Sequence, residues 1–239
     1  MKLPKTLKII FGVILFLTLP TTLFVGVIYF KYHEDLPESV ISIEADKMAQ
    51  NMLNALDYKA LEKTSYLEWT YRNSRHYKWE RDKHICTVFW KQYKVALNLN
   101  DYSKSKTYVH NFSVVGKQQE ELIDSALSYF KNDSFWLLAP YTVFDKGTTR
   151  RVVSQNDGSK ALLVTYTTEG KSSEDSYLWK LDENGKPISF KIWNTLTPIQ
   201  GLEASWQHWT TTQSGAQLPT LHTILFFNIQ LRNIKGTLK

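Results

Sequence analysis

The chain of 239 residues contains a single cysteine, Cys86, so no disulfide can form within it. Cys86 sits in the apolar stretch ICTVFW and reads as a small buried hydrophobe rather than a reactive thiol. There is no Gly-rich phosphate loop, no G-x-S-x-G elbow and no CxxC pair. No internal repeat or low-complexity segment is present, which excludes a solenoid. Positive charge is not concentrated either. Setting aside Lys2, Lys5 and Lys8 leaves 26 basic against 23 acidic residues, with no dense Lys/Arg stripe. A nucleic-acid partner is therefore not expected. The most telling absence is of charge itself: between Ile9 and Phe30 there is no ionisable acid or base.

That run, IIFGVILFLTLPTTLFVGVIYF, is 22 residues long, enough to cross a hydrocarbon core of about 30 Å. Residues 1–30 read as a transmembrane anchor to the inner membrane through residues 9–30. The preceding lysines predict a cytoplasmic N-terminus and a periplasmic C-terminal domain. A cleaved signal peptide is the rival, but the run exceeds the usual apolar core of about 7–15 residues and no small-x-small site follows in KYHEDLPE. Pro20, with Thr18, Thr21 and Thr22, is a place for a kink. Residues 31–43 read as a stalk, and residues 44–239 as one domain with enough chain for a substantial core.

Within the domain, EADKMAQNMLNALDY (44–58) has helical spacing, and Leu122, Ile123, Ala126, Leu127 and Phe130 place a second helix over 115–133. The rest reads as strand. Leu67, Trp69 and Tyr71 alternate with Glu68, Thr70 and Arg72, and HYKWERD, ICTVFWKQYKVALNL, RRVVSQ, ALLVTYT, DSYLWKL, ISFKIWN, LEASWQHW and PTLHTILFFNIQL follow. The turns QNDGSK and DENGKP carry Asp-Gly and Asn-Gly. The fold class is α+β: a curved antiparallel sheet of nine to eleven strands with two helices against its concave face.

No reaction suggests itself. His84-x-Cys86 is half a metal site at best, and no metal or cofactor is expected. His33, His76, His84, His110, His208 and His222 are scattered. A hydrolase would need His208 or His222 with Glu203 in a cleft. Asp133 and Ser134 read as a turn or cap at the helix end, and Asn111-x-Ser113 and Asn132-x-Ser134 match the glycosylation pattern only in a secretory setting.

Aromatics are abundant at 14% of the chain. Trp69, Trp79, Trp90, Trp179, Trp193, Trp206 and Trp209 all fall in expected strands, as core or as the lining of a pocket. After the second helix, FWLLAP sets Phe135, Trp136, Leu137 and Leu138 side by side, with no alternation to send half of them to water. The expected ligand site is an apolar cavity formed by these four with Trp69, Tyr71 and Trp79 on facing strands.

The aromatic hairpin YLEWTYRNSRHYKWERD, the helix followed by F-W-L-L, and the strand-turn-strand DSYLWKLDENGKPISFKIW together resemble the outer-membrane lipoprotein localisation family over residues 45–230. That resemblance implies an incomplete antiparallel barrel closed by helices, holding the acyl chains of a lipoprotein. In the family an arginine of the first hairpin holds the lid shut; neither Arg72 nor Arg75 has the matching spacing before Trp79, so the resemblance assigns that role to neither. The expected function is a membrane-tethered binder of acyl chains or lipoprotein. The alternatives are a non-catalytic subunit of an envelope complex, with a filled interior, and a hydrolase.

Overall fold

The computed structural model describes residues 4–167 and 174–238. A first helix, α1 (Lys5–Tyr32), contains the charge-free run and is long and apolar enough to span a membrane. It continues through Pro20. The Thr18 and Thr22 hydroxyls donate to the Ile14 and Thr18 carbonyls, each at 2.9 Å, one turn back along the helix.

Three further helices follow: α2 (Ile43–Ala55), α3 (Tyr58–Lys63) and α4 (Lys117–Leu138). Ser42 caps α2 by accepting from the Ala45 amide at 3.3 Å, and Ala45, Ala49, Met52 and Leu53 form its buried face. In α4 the buried stripe is Leu122, Ala126, Asp133 and Leu137, spaced by multiples of three and four residues.

The strands are β1 (Tyr66–Tyr71), β2 (Arg75–Glu80), β3 (Ile85–Trp90), β4 (Tyr93–Asn98), β5 (Lys106–Val109) and β6 (Phe112–Ser113) before α4. After it come β7 (Thr148–Ser154), β8 (Lys160–Thr167), β9 (Glu174–Leu181), β10 (Pro187–Trp193), β11 (Leu202–Ser205), β12 (Gln207–Thr211), β13 (Gln217–Ile224) and β14 (Phe227–Thr237). They form one curved, open antiparallel sheet in the order β6-β5-β4-β3-β2-β1-β14-β13-β11-β10-β9-β8-β7, with β12 beside β13. The two halves of the chain meet where β1 pairs with β14, Tyr66 opposite Thr237 and Tyr71 opposite Leu231.

Fourteen strands exceed the nine to eleven expected. Two of the extra boundaries have clear causes. PTLHTILFFNIQL is not one strand: Leu225 takes φ 53° and turns the chain between β13 and β14. LEASWQHW breaks at Trp206, whose amide bonds back to Ile188, so that β12 departs to pair with β13 alone.

α4 packs on β4, β5 and β13, and α2 on β7 and β8. The main core lies between these helices and the concave face. Gly185, in the Asn-Gly turn, has φ +84°, and a Cβ there would lie 3.2 Å from the Asn51 backbone of α2. A smaller cluster of Val153, Ala161, Leu163, Leu178 and Trp193 belongs to the opposite, outer face of β7–β10.

The segment from His33 to Ser42 is tied to that outer face rather than extending as a free stalk. Near β10, Glu34 donates its amide to Gln200 (2.9 Å), accepts from the Trp193 indole on its carbonyl (2.8 Å) and meets Lys191 Nζ at 2.7 Å. Six residues on, Val40 exchanges both backbone hydrogen bonds with Val152 of the edge strand β7 (3.0 and 2.8 Å). Because β8 and β9 lie between those two points, the segment is a strap across the outer cluster.

Candidate functional site

Helix α4 crosses the concave face and meets two groups of rings. The first is on the N-terminal half of the sheet. Trp69 stacks on Tyr77 at 4.5 Å, and Phe130 of α4 approaches Trp79 at 5.2 Å and Trp69 at 6.4 Å. The second is on the C-terminal half: Phe135 lies against Tyr177 and Phe190, and Trp136 against Phe190 and His222. Trp179 and Trp206 complete it at 5.2 Å from each other.

The residues read as a ligand site thus share one core but not one spot. Trp69, Tyr71 and Trp79 face Phe130, Tyr129 and Asp133 of α4, whereas Phe135, Trp136 and Leu137 lie one to two turns further along. Leu137, Trp69, Trp179 and Trp206 are fully buried; Phe135, Trp136, Leu138 and Trp79 are partly so. FWLL is not a plug after the helix but its last turn. The run Lys131–Ser134, which reads as a stop, is helical because its one inward residue, Asp133, finds a partner 58 positions earlier.

That partner is Arg75, the first residue of β2. Its Nε donates to Asp133 Oδ2 at 2.6 Å and its Nη2 to Oδ1 at 2.9 Å, a bidentate pair. The Tyr77 hydroxyl also donates to Oδ2, and Asn132 Nδ2 to Oδ1 at 2.8 Å. The guanidinium lies between the Tyr71 and Tyr129 rings, 4.8 and 4.6 Å from their centroids. Asp133 is completely buried and the Arg75 side chain 21% exposed. Burial works against the charged guanidinium, but the Asp133 carboxylate outweighs it and holds Arg75 above its ordinary pKa. Burial, with that carboxylate beside it, pushes the Tyr77 phenol up. No sequence spacing could single out Arg75 or Asp133. Two hints were there: the resemblance pointed to an arginine of the first hairpin, where Arg75 was set aside on its spacing before Trp79 yet pairs with α4, and Asp133 is a lone acid at a helix position where the apolar stripe predicts a hydrophobe.

The interior also holds polar nitrogens without partners. Among the described residues, the indole Nε1 of Trp69, Trp79, Trp179 and Trp206 and the Nε2 of His222 are buried and make no hydrogen bond. His222 Nδ1 bonds the Ser205 carbonyl at 3.0 Å. Burial pushes the His222 imidazole down to about 4, although the Ser205 and Trp136 carbonyls favour its protonated form. Three of these five nitrogens, on Trp179, Trp206 and His222, fall in the second ring group; with Nδ1 donating to Ser205, Nε2 of the neutral His222 ring is an acceptor.

The residues considered for a hydrolase do not come together. Glu203 is on the outer face, bonded to Ser189 Oγ (2.6 Å) and Lys180 Nζ (3.1 Å), while His222 is sealed inside. No group of three or more His, Cys, Asp or Glu suited to a metal occurs among the described residues. Compared with known family models and with curated proteins, the chain matches none.

Proposed function

We propose that this protein is a membrane-tethered binder of acyl lipid or of a lipidated protein, with α1 as its anchor, its N-terminus in the cytoplasm and its domain in the periplasm. The acyl chains lie between α4 and the concave face of the sheet once α4 lifts, in the volume that Phe135, Trp136 and Leu137 otherwise fill. One observation carries the reading: the helix that closes a ring-lined concave face is fastened by a polar clamp. Arg75, Tyr77 and Asp133 form a discrete contact that can open as a unit, unlike a seam of interdigitated side chains. The unpartnered indole donors of Trp179 and Trp206 suit a ligand that brings oxygen as well as hydrocarbon, such as an ester- or amide-linked acyl chain.

The second reading, a non-catalytic subunit of an envelope complex, is favoured by the close filling of the interior in this conformation. Native mass spectrometry of the purified full chain, followed by titration with a fluorescent fatty acid, separates the two. Acyl binding predicts co-purified lipid, or saturable uptake that quenches tryptophan emission and is weakened by Trp136→Ala. A folded protein with neither lipid nor saturable uptake would leave the interaction-subunit reading standing.

A further inference from the structure

The antiparallel sheet sorts its turns onto two rims. Among the described residues, one carries the turns 72–74, 91–92, 110–111, 194–200 and 225–226; the other carries 81–84, 99–105, 155–159, 182–186 and 212–216. The first rim is where α1 arrives. His33 Nδ1 accepts from the Gln200 amide at 3.2 Å, and Glu34 bonds Gln200 in return. Tyr32 and Leu225 line one hollow there, open to solvent and about 480 Å³ in volume.

Distance along the chain then decides what this rim touches. The charge-free run ends at Phe30, and His33 is three residues on, about 4.5 Å of helix rise. The headgroup layer on each side of a bilayer is roughly 5–7 Å thick. With α1 in the bilayer, the 194–200 loop therefore sits within the headgroups, and the strap leaves no slack to lift it away.

The side chains of this rim fit that place. Leu196 is 88% exposed in the 194–200 loop, and Phe226 and Phe227 are 62% and 56% exposed at the β13–β14 tip, their rings 4.4 Å apart. Leu225 takes a left-handed conformation at that tip, where Gly or Asn is ordinarily preferred. The five described turns of this rim contain Arg72 and Lys91, with Glu34 bonded to the 194–200 loop, whereas those of the opposite rim mix Asp82, Asp101, Asp157, Asp182 and Glu183 with Arg81, Lys83, Lys104 and Lys186. Exposed rings and leucines next to an apolar helix of spanning length, with Arg72 and Lys91 in neighbouring turns, are the chemistry of an interfacial contact.

We infer that the rim formed by the 194–200 loop and the β13–β14 tip docks on the same bilayer that holds α1, inserting Leu196, Phe226 and Phe227 among the headgroups and fixing the orientation of the domain. This inference rests on α1 spanning the membrane and stands apart from what the interior binds.

The test uses the full chain in nanodiscs of phosphatidylethanolamine and phosphatidylglycerol, spin-labelled in turn at Leu196→Cys, Phe226→Cys and, on the opposite rim, Asp157→Cys. The native Cys86 is buried and stays unlabelled. Labels at 196 and 226 are expected to collide with dissolved oxygen more than with a water-soluble nickel chelate, and the label at 157 the reverse. Adding Phe226→Glu and Phe227→Glu to the 196-labelled chain is expected to move that label toward water without shifting the melting temperature. Labels at 196 and 226 that behave like the one at 157, or that become protected only when another protein is added, overturn the inference. So does loss of folding in the double glutamate variant, since it would make these rings part of the core.

Discussion

At the scale of the residue, the molecule turns on Asp133. A carboxylate with no exposure is held by one guanidinium, one phenol and one amide. Arg75→Met is expected to cost about 3–5 kcal/mol, because it leaves a buried charge unpaired. Arg75→Met combined with Asp133→Leu should recover much of that loss, as urea melts of the single and double variants would measure. If the clamp also gates the interior, the double variant should exchange a fluorescent fatty acid more slowly or not at all while remaining folded. His222 makes a different prediction. Its folded pKa, about 4, lies below its ordinary value of 6.5, so the unfolded chain takes up the proton first as pH falls. The stability it contributes is complete above about pH 6.5 and is lost progressively down to about pH 4, at most about 3 kcal/mol. Subtracting the melting profile of His222→Gln from that of the natural chain should reveal this component separately from the carboxylates. Neither residue declares itself in the sequence. Asp133 sits in the polar run KNDS and looks like a cap. His222 alternates with Leu221 and Thr223 in a strand and looks like any half-buried histidine.

At the scale of the element, the legible parts were those with local causes. The helical stripes and the Asp-Gly and Asn-Gly turns mark α2, α4 and two hairpins correctly, because period and turn chemistry act within a few residues. Three features were not legible. α4 runs on through FWLL because of Arg75, far away in sequence. The β13–β14 turn has neither Gly nor Asn, so ILFFNI reads as continuous strand. The strap contains no pattern at all and is held by its docking sites. Gly201 is one of these: it has φ +75°, and a Cβ there would lie 2.7 Å from the Glu34 Cβ and 3.3 Å from the Trp193 ring. Gly201→Ala is expected to dislodge the start of the strap, with a cost of about 1–3 kcal/mol from the left-handed backbone and the clash together. Faster hydrogen exchange at Val40 and Val152, with the β1–β4 amides unchanged, would check that the damage is confined to the strap.

At the scale of the whole molecule, the strap joins α1 to the sheet. Shortened chains beginning at residue 33 and at residue 44 separate the two roles of this segment. The first keeps the strap and should melt close to the full chain. The second uncovers the outer cluster, including Leu163 and Leu178, which are buried under it. It should lose several kcal/mol and bind a hydrophobic dye. The concave sheet and its aromatic content were legible in the sequence, but the way the sheet is closed was not, since no local rule pairs β1 with β14. That pairing has a temporal meaning as well. Tyr66 waits for Thr237, so the hairpins β1–β6 can form early, yet the halves cannot join until β14 has been made. Contacts so distant in sequence make folding slow, in the range of milliseconds to seconds or beyond. Throughout that interval α1 is already available to a membrane, while the ring-lined face has neither its far half nor a settled α4. The nascent chain is therefore at its stickiest before β14 is made, when its apolar first helix and half of its ring-lined face are both uncovered.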